Sequence, residues 1–394
     1  MRFQQLAGTG LAALAALLLG AMDASDAGPD ESAVESGEPV GSVSLVESPP
    51  APLFAGGTRA RGLPVHGEGN YPVAALRRRQ EGWVSLGVCV TPAGEVVDPI
   101  IEESSGIGVF EQAALKELRD VRFEPATWQG KPVEQCMQLR LVYRVKGQTG
   151  ARRSFLRRFR EAESLLSAGQ LDEAQARLDA LGGDGTWTLY EASWLELARA
   201  NLAQRRGDLE GAVLHLQRAI NNQGEYINDR KAYRAAILQL FQLQVATERH
   251  GEAMDTWADI GKLDPPPDDA RIEGLARKVR GFIESPQPLV FVGEIRQRRN
   301  DAREAPSWEH KLLRRKFGFE AAEGKADEFR LRCDWKQVRG RVDTDVVLEL
   351  PKEQTGCRVF VFGDIGARVR LVEYPEPPAS GAVLPDRPGG VAGP

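Results

Sequence analysis

Four cysteines, Cys89, Cys136, Cys333 and Cys357, and four histidines, at positions 66, 215, 250 and 310, are the side chains of this 394-residue chain best suited to metal or nucleophilic chemistry. No two cysteines stand at C-x-x-C spacing, so a thiolate zinc site is not indicated. There is no H-E-x-x-H, no G-x-S-x-G, no phosphate loop closing on Gly-Lys-Ser or Gly-Lys-Thr, and no complete G-x-G-x-x-G. Gly67-Glu68-Gly69 lacks a third glycine at the required spacing. Glu102 and Glu103 are successive strand residues that project to opposite faces and cannot share a proton. Ser104-Ser105-Gly106 reads as a turn. The expectation is a protein without catalytic residues, cofactor or metal.

The cysteines then need another use. They are even in number, and the apolar run of residues 1–27, behind one arginine and ahead of small residues, reads as a signal peptide or, uncleaved, as an N-terminal anchor. In an oxidising compartment such cysteines form disulfides. The chain is 27% charged with a net charge of −5, which advertises no field for a polyanion, so nucleic acid is not an expected partner. Residues 28–70, rich in Gly, Pro, Ser, Glu and Asp, read as a disordered linker.

The elements that place Cys89 and Cys136 belong to a unit at 71–146. Pro72 suits a first helical turn, and Val73, Ala74 and Leu76 give a short helix that Gly82 is expected to end. Val84, Leu86, Val88 and Val90 alternate along a half-buried strand. "TPAGEV" turns the chain into a second strand, "VVDPIIEESS". Phe110, Ala113, Ala114, Leu118 and Val121 then mark a helix, and Met137, Leu139, Leu141, Tyr143 and Val145 the inward face of a third strand. A helix after the second strand returns the chain to its starting end, so the third strand pairs antiparallel with the first. The expected order is second, first, third, with the third strand at an edge. If Val88 faces Met137, Cys89 stands opposite Cys136 on the helix-free face, within disulfide reach.

"YP", "EGWVSLGVCVTPAGEVVDPII", "SSG", "FEQAAL", "RFEPATWQGKPV" and a closing alternating strand together resemble the C-terminal domain of TonB. The resemblance implies a protein-binding domain of the bacterial envelope, which adds the N-terminal segment of an outer-membrane transporter to its sheet edge and transmits force from an ion-driven motor. An exposed edge is itself a template for strand addition, or for pairing two copies as a homodimer. The outward residues of the third strand, Gln138, Arg140, Val142 and Arg144, are the expected partner-binding set. Two departures bear on motor coupling: residues 1–24 contain no histidine, and the long proline-rich spacer of the family is replaced by "ESPPAPLFAGG". A motor-independent periplasmic adaptor is the alternative reading.

Residues 151–286 carry amphipathic helical runs. Ala174, Ala212 and Ala253 occupy corresponding places, each followed four residues later by Leu178, Leu216 or Trp257, with Gly169 and Gly207 in two of the turns. They resemble degenerate tetratricopeptide repeats, three with a capping helix, although the alanines lie 38 and 41 residues apart rather than about 34. Residues 288–375 read as a β-rich unit: "PLVFVGEI" a strand, "SWEHKLLRRKFGF" a helix or loop, then four strand-like runs, the last two joined as a hairpin at Gly363–Gly366. Cys333 and Cys357 are expected to pair within it. Residues 376–394 read as a disordered tail. The fold expected is multidomain α+β: a small β-β-α-β antiparallel sheet, a tetratricopeptide-like all-α segment and a small β-rich C-terminal unit.

Overall fold

The computed structural model describes residues 28–29, 39–47, 57–62, 71–147, 150–183, 188–220, 224–297, 305–334, 336–352 and 354–375. The expected export signal or anchor at 1–27 and the tail at 376–394 lie outside the described residues. No helix among the described residues is long and apolar enough to cross a membrane. The architecture is multidomain α+β.

The first unit is built on strands β4 (Gly82–Val90), β5 (Val96–Ser104) and β9 (Gln135–Val145), with helices α1 (Val73–Arg77) and α2 (Gly108–Asp120). Phe110, Ala114 and Leu118, spaced for one helical face, are buried against Val84, Leu86, Leu139 and Leu141. Helix α1 stops before Gly82: Arg79 takes a positive φ of 53°, and Gly82 opens β4 instead.

The sheet runs, strand by neighbouring strand, from β1 (Gly41–Glu47) through β9 and β4 to β5. Its last three strands follow the expected order, but the outer edge of β9 is not free. It pairs with β1, a stretch expected to be linker. Two further short strands, β2 (Gly57–Thr58) and β3 (Arg61–Gly62), pair with β7 (Ala126–Trp128) and β6 (Phe123–Glu124), and β8 (Lys131–Val133) completes a hairpin with β7. The linker expectation therefore fails for these residues. They gain order from ladders supplied by strands distant in sequence, which composition alone does not register.

The middle unit comprises α3 (Arg153–Ser167), α4 (Leu171–Gly183), α5 (Leu189–Arg205), α6 (Leu209–Ala219), α7 (Arg230–Ala246), α8 (His250–Ile260) and α9 (Ala270–Ile283). Consecutive helices pack as three hairpins, and α9 covers the last. Ala174, Ala212 and Ala253 are fully buried at the hairpin contacts, where a larger side chain would part the helices. Gly169 and Gly207 have φ of 74° and 77°, and Glu248 takes the same left-handed position in the third turn at 59°.

The last unit is a sandwich of two four-stranded sheets. One has the order β10 (Leu289–Glu294), β17 (Arg368–Tyr374), β12 (Lys316–Glu323), β15 (Val347–Glu349); the other β11 (Ser307–Lys311), β16 (Arg358–Gly363), β13 (Ala326–Cys333), β14 (Lys336–Arg341). Phe317, Phe319 and Leu371 from the first sheet meet Phe329, Leu331 and Val361 from the second. Of residues 307–319, expected as helix or loop, 307–311 and 316–319 lie in strands β11 and β12, and 312–315 are the bend between them. The expected hairpin at 363–366 is instead an arch: β16 and β17 lie in opposite sheets, each hydrogen-bonded to other strands. Alternation identifies a strand but does not choose its neighbour.

Candidate protein-binding edge

Strand β9 alternates so that Leu139, Leu141, Tyr143 and Val145 point at α2 and are buried. Its register on β4 is Val84 with Leu141, Leu86 with Leu139, Val88 with Met137 and Cys89 with Cys136. The two cysteines are joined, with S–S 2.03 Å, and Cys333 is joined to Cys357 at 2.02 Å. Cys89, Glu134 and Cys136 form the one cluster of metal-ligating residue types among the described residues, and both of its sulfurs are committed to the disulfide.

On the other side of β9 lies β1, antiparallel, in continuous register from Gly41 opposite Val145 to Glu47 opposite Leu139. The ladder runs one step further, with the Lys146 amide donating to the Val40 carbonyl at 2.8 Å. Val43 and Leu45 face inward, half-buried on the unit's core, while Ser42 and Ser44 are exposed. Gly41 lies against the Tyr71 ring, where a Cβ would come within 2.6 Å of a ring carbon and 3.0 Å of a Leu76 methyl. That ring is fixed: its hydroxyl donates to the Gln80 carbonyl at 2.6 Å, and it stands edge-on to Phe110 and Tyr143. These residues were missed because an apolar alternation of only two or three steps is weak evidence for a strand.

The four side chains expected to face a partner are turned instead toward the rest of the chain. Val142 is 1% exposed, packed with Trp83, Leu189 and Tyr226. Arg140 donates from Nε to the Ser85 hydroxyl at 3.0 Å and lies over the Trp83 ring, and its burial lowers the guanidinium pKa. Arg144 pairs with Glu225 at 2.6 Å and covers the Tyr226 ring, while Gln138 donates to Glu102. The helix-free face of the sheet is thus an internal joint. The backbone of β9 is paired on both sides, with β4 and with β1.

Two further contacts fix that joint. Glu81, 6% exposed, accepts hydrogen bonds from the Val145 amide at 2.8 Å and from the Leu189 amide at 2.9 Å, the latter in the first turn of α5. Burial pushes its carboxyl up to about 7 despite these donors. Arg332 reaches from β13 to the Gly87 carbonyl at 2.9 Å and also donates to the Asp98 carbonyl; burial lowers it to about 10. Gly87 leaves room for this, since a Cβ there would meet Glu102 and Arg332.

A cavity of about 1380 Å³ remains between the three units, with Trp83 and Arg140 on the sheet side, Arg218 and His250 on the helices, and Val292 and Trp308 on the sandwich. Several of its charges are paired, among them Arg218 with Glu103 at 2.9 Å and Arg358 with Glu309. His250 is 4% exposed, neither ring nitrogen has a hydrogen-bond partner, and burial pushes it down to about 4.

No curated protein matches the chain. The comparison with known families gives one match: residues 68–145, which contain β4, β5 and β9, are similar to the family described as Gram-negative bacterial TonB protein C-terminal.

Proposed function

We propose that this chain binds an extended segment of another envelope protein by strand addition along β9, and that it serves, as its family does, energy transduction to outer-membrane transporters. The observation that carries the reading is that β9 already holds on its outer edge an antiparallel strand distant in sequence, β1. Backbone donors and acceptors at such an edge supply affinity, and alternate side chains of the added strand supply selectivity. The residues flanking that backbone are Gln138, Arg140, Val142 and Arg144, of which Arg144 keeps 42% of its side chain accessible. The chain acts in the periplasm, exported or anchored in the inner membrane by residues 1–27.

A motor-independent adaptor is the second reading. It is favoured by the helix-free face of the sheet being occupied by the helical hairpins and the sandwich, and by the lack of histidine in residues 1–24. In it, the hairpins act as a tetratricopeptide-like scaffold, and two copies pair through the same edge. A photo-crosslinking residue in place of Arg144, irradiated in living cells, separates the readings. Capture of the N-terminal segment of an outer-membrane transporter is expected; capture of soluble or inner-membrane proteins alone would discard transport in favour of the adaptor.

A further inference from the structure

We infer that Gly41–Glu47 is a resident, displaceable occupant of the β9 edge, and that its residues describe the partner segment that the edge accepts. That segment is extended and antiparallel, with glycine opposite Val145, aliphatic residues opposite Tyr143 and Leu141, and small polar residues between. The inference rests on the strand-addition reading and adds to it a competitor and a recognition pattern.

Occupancy is complete along the part of β9 a partner would need. Seven residues pair in unbroken register, and Val40 extends the ladder. A partner therefore cannot join β9 while β1 is seated; it must exchange with it.

Exchange is physically easy because β1 is the least anchored strand of this sheet. Every residue of β4 is buried, whereas among its described side chains β1 commits two half-buried aliphatics, Val43 and Leu45, and leaves Ser42 and Ser44 in water. Elements with few buried apolar contacts open locally at a small fraction of the global stability. Opening of β1 need not disturb the next strands in the chain. The short strands β2 and β3 are held by their own partners in the same unit, with Thr58 and Thr127 hydroxyls 2.8 Å apart and the Ala60 amide donating to Gln135 at 2.7 Å. A displaced β1 thus stays tethered beside its site, at an effective concentration on the order of millimolar, and competes with any free strand.

The pattern is set by the positions β1 fills. Tyr71, pinned by Gln80, Phe110 and Tyr143, closes over Gly41 and excludes a Cβ. Opposite Tyr143 and Leu141 the incoming side chains lie on the apolar core and replace Val43 and Leu45. Between them the side chains face solvent, as Ser42 and Ser44 do.

The test uses the full oxidised chain and a fluorescent synthetic peptide of residues 39–47 as the probe. The variant Gly41→Val with Leu45→Asp unseats the resident strand; where the pair impairs folding, judged by circular dichroism and by formation of the Cys89–Cys136 bond, Gly41→Val alone is used. The variant is expected to bind the probe at least about tenfold more tightly than the wild type, with slowed amide exchange along β9. A probe carrying valine in place of its glycine should bind at least about tenfold more weakly, by the exclusion at Tyr71. Equal probe binding by wild type and variant would overturn the competitor and leave strand addition standing. Binding by neither, or protection at a strand other than β9, would overturn strand addition itself. Equal binding of the valine probe would overturn the recognition pattern.

Discussion

Glu81 and His250 should give this protein two opposing pH dependences, each visible as the difference between a variant and the wild type. The folded Glu81 carboxyl titrates at about 7 against an ordinary 4.5. Between those values the folded state keeps a proton that the unfolded chain has released, so its contribution is complete below pH 4.5 and is lost as pH rises through 7. His250 runs the other way, titrating at about 4 against 6.5. Its contribution is complete above pH 6.5 and is lost as the pH falls toward 4, because the unfolded chain then gains the proton first. Both side chains are buried, 6% and 4% exposed, so solvent screens neither strongly. At about 1.4 kcal/mol per pH unit, each is worth about 3 kcal/mol over its full window. Urea denaturation between pH 4.5 and 6.5, monitored by far-UV circular dichroism, should show that, relative to the wild type, the stability of Glu81→Gln rises with pH by about 2–3 kcal/mol across that range and that of His250→Leu falls by a similar amount. Profiles parallel to the wild type in both variants would refute the reasoning.

Loop lengths set the cost of losing each disulfide. Cys89 and Cys136 are 47 residues apart and Cys333 and Cys357 are 24 apart, so alanine pairs should cost about 4 and about 3.5 kcal/mol respectively by the chain-entropy relation; an inverted order in denaturant titrations would contradict it. Glu248→Gly relieves a non-glycine residue at φ 59° and should stabilise the helical unit by about 0.5–1 kcal/mol, read as a higher urea midpoint. Arg332→Met removes the donor to the buried Gly87 carbonyl and the part-buried Asp98 carbonyl and should cost about 2–4 kcal/mol, seen as faster amide exchange in β4 and β5; unchanged exchange there would show that the joint does not depend on it.

Side-chain period and chain direction made the first unit legible. Alternation fixed which face of β9 is apolar, and that register brought Cys89 and Cys136 together. The buried alanines of the helical unit were legible for a similar reason, since a 3.6-residue period repeats often enough to be recognised. Beyond a single element the signal weakened. Val43 and Leu45 lie in a composition typical of linkers, and their order comes from the outer backbone of β9, about a hundred residues away in sequence. Gln138, Arg140, Val142 and Arg144 were correctly placed on the helix-free face, but a strand's sequence does not say whether that face meets solvent or another unit. Val142 among three charged or polar neighbours was the available hint. Neighbour choice in the sandwich was likewise hidden, because β16 and β17 alternate equally well for a hairpin or an arch.

Both disulfides end at one place. The Cys136 amide donates to the Asp334 carbonyl at 3.2 Å, so the bond within the first unit abuts the residue next to Cys333. Four cysteines allow three pairings, and two of those would tie the first unit covalently to the last across the helical hairpins. The pairing present closes each loop inside its own unit. Maturation can therefore keep to the direction of synthesis: the first bond has all it needs once β9 has emerged, and the second once Cys357 has. Any cross-paired species is then an assembly error that a disulfide isomerase must resolve before the two units can dock.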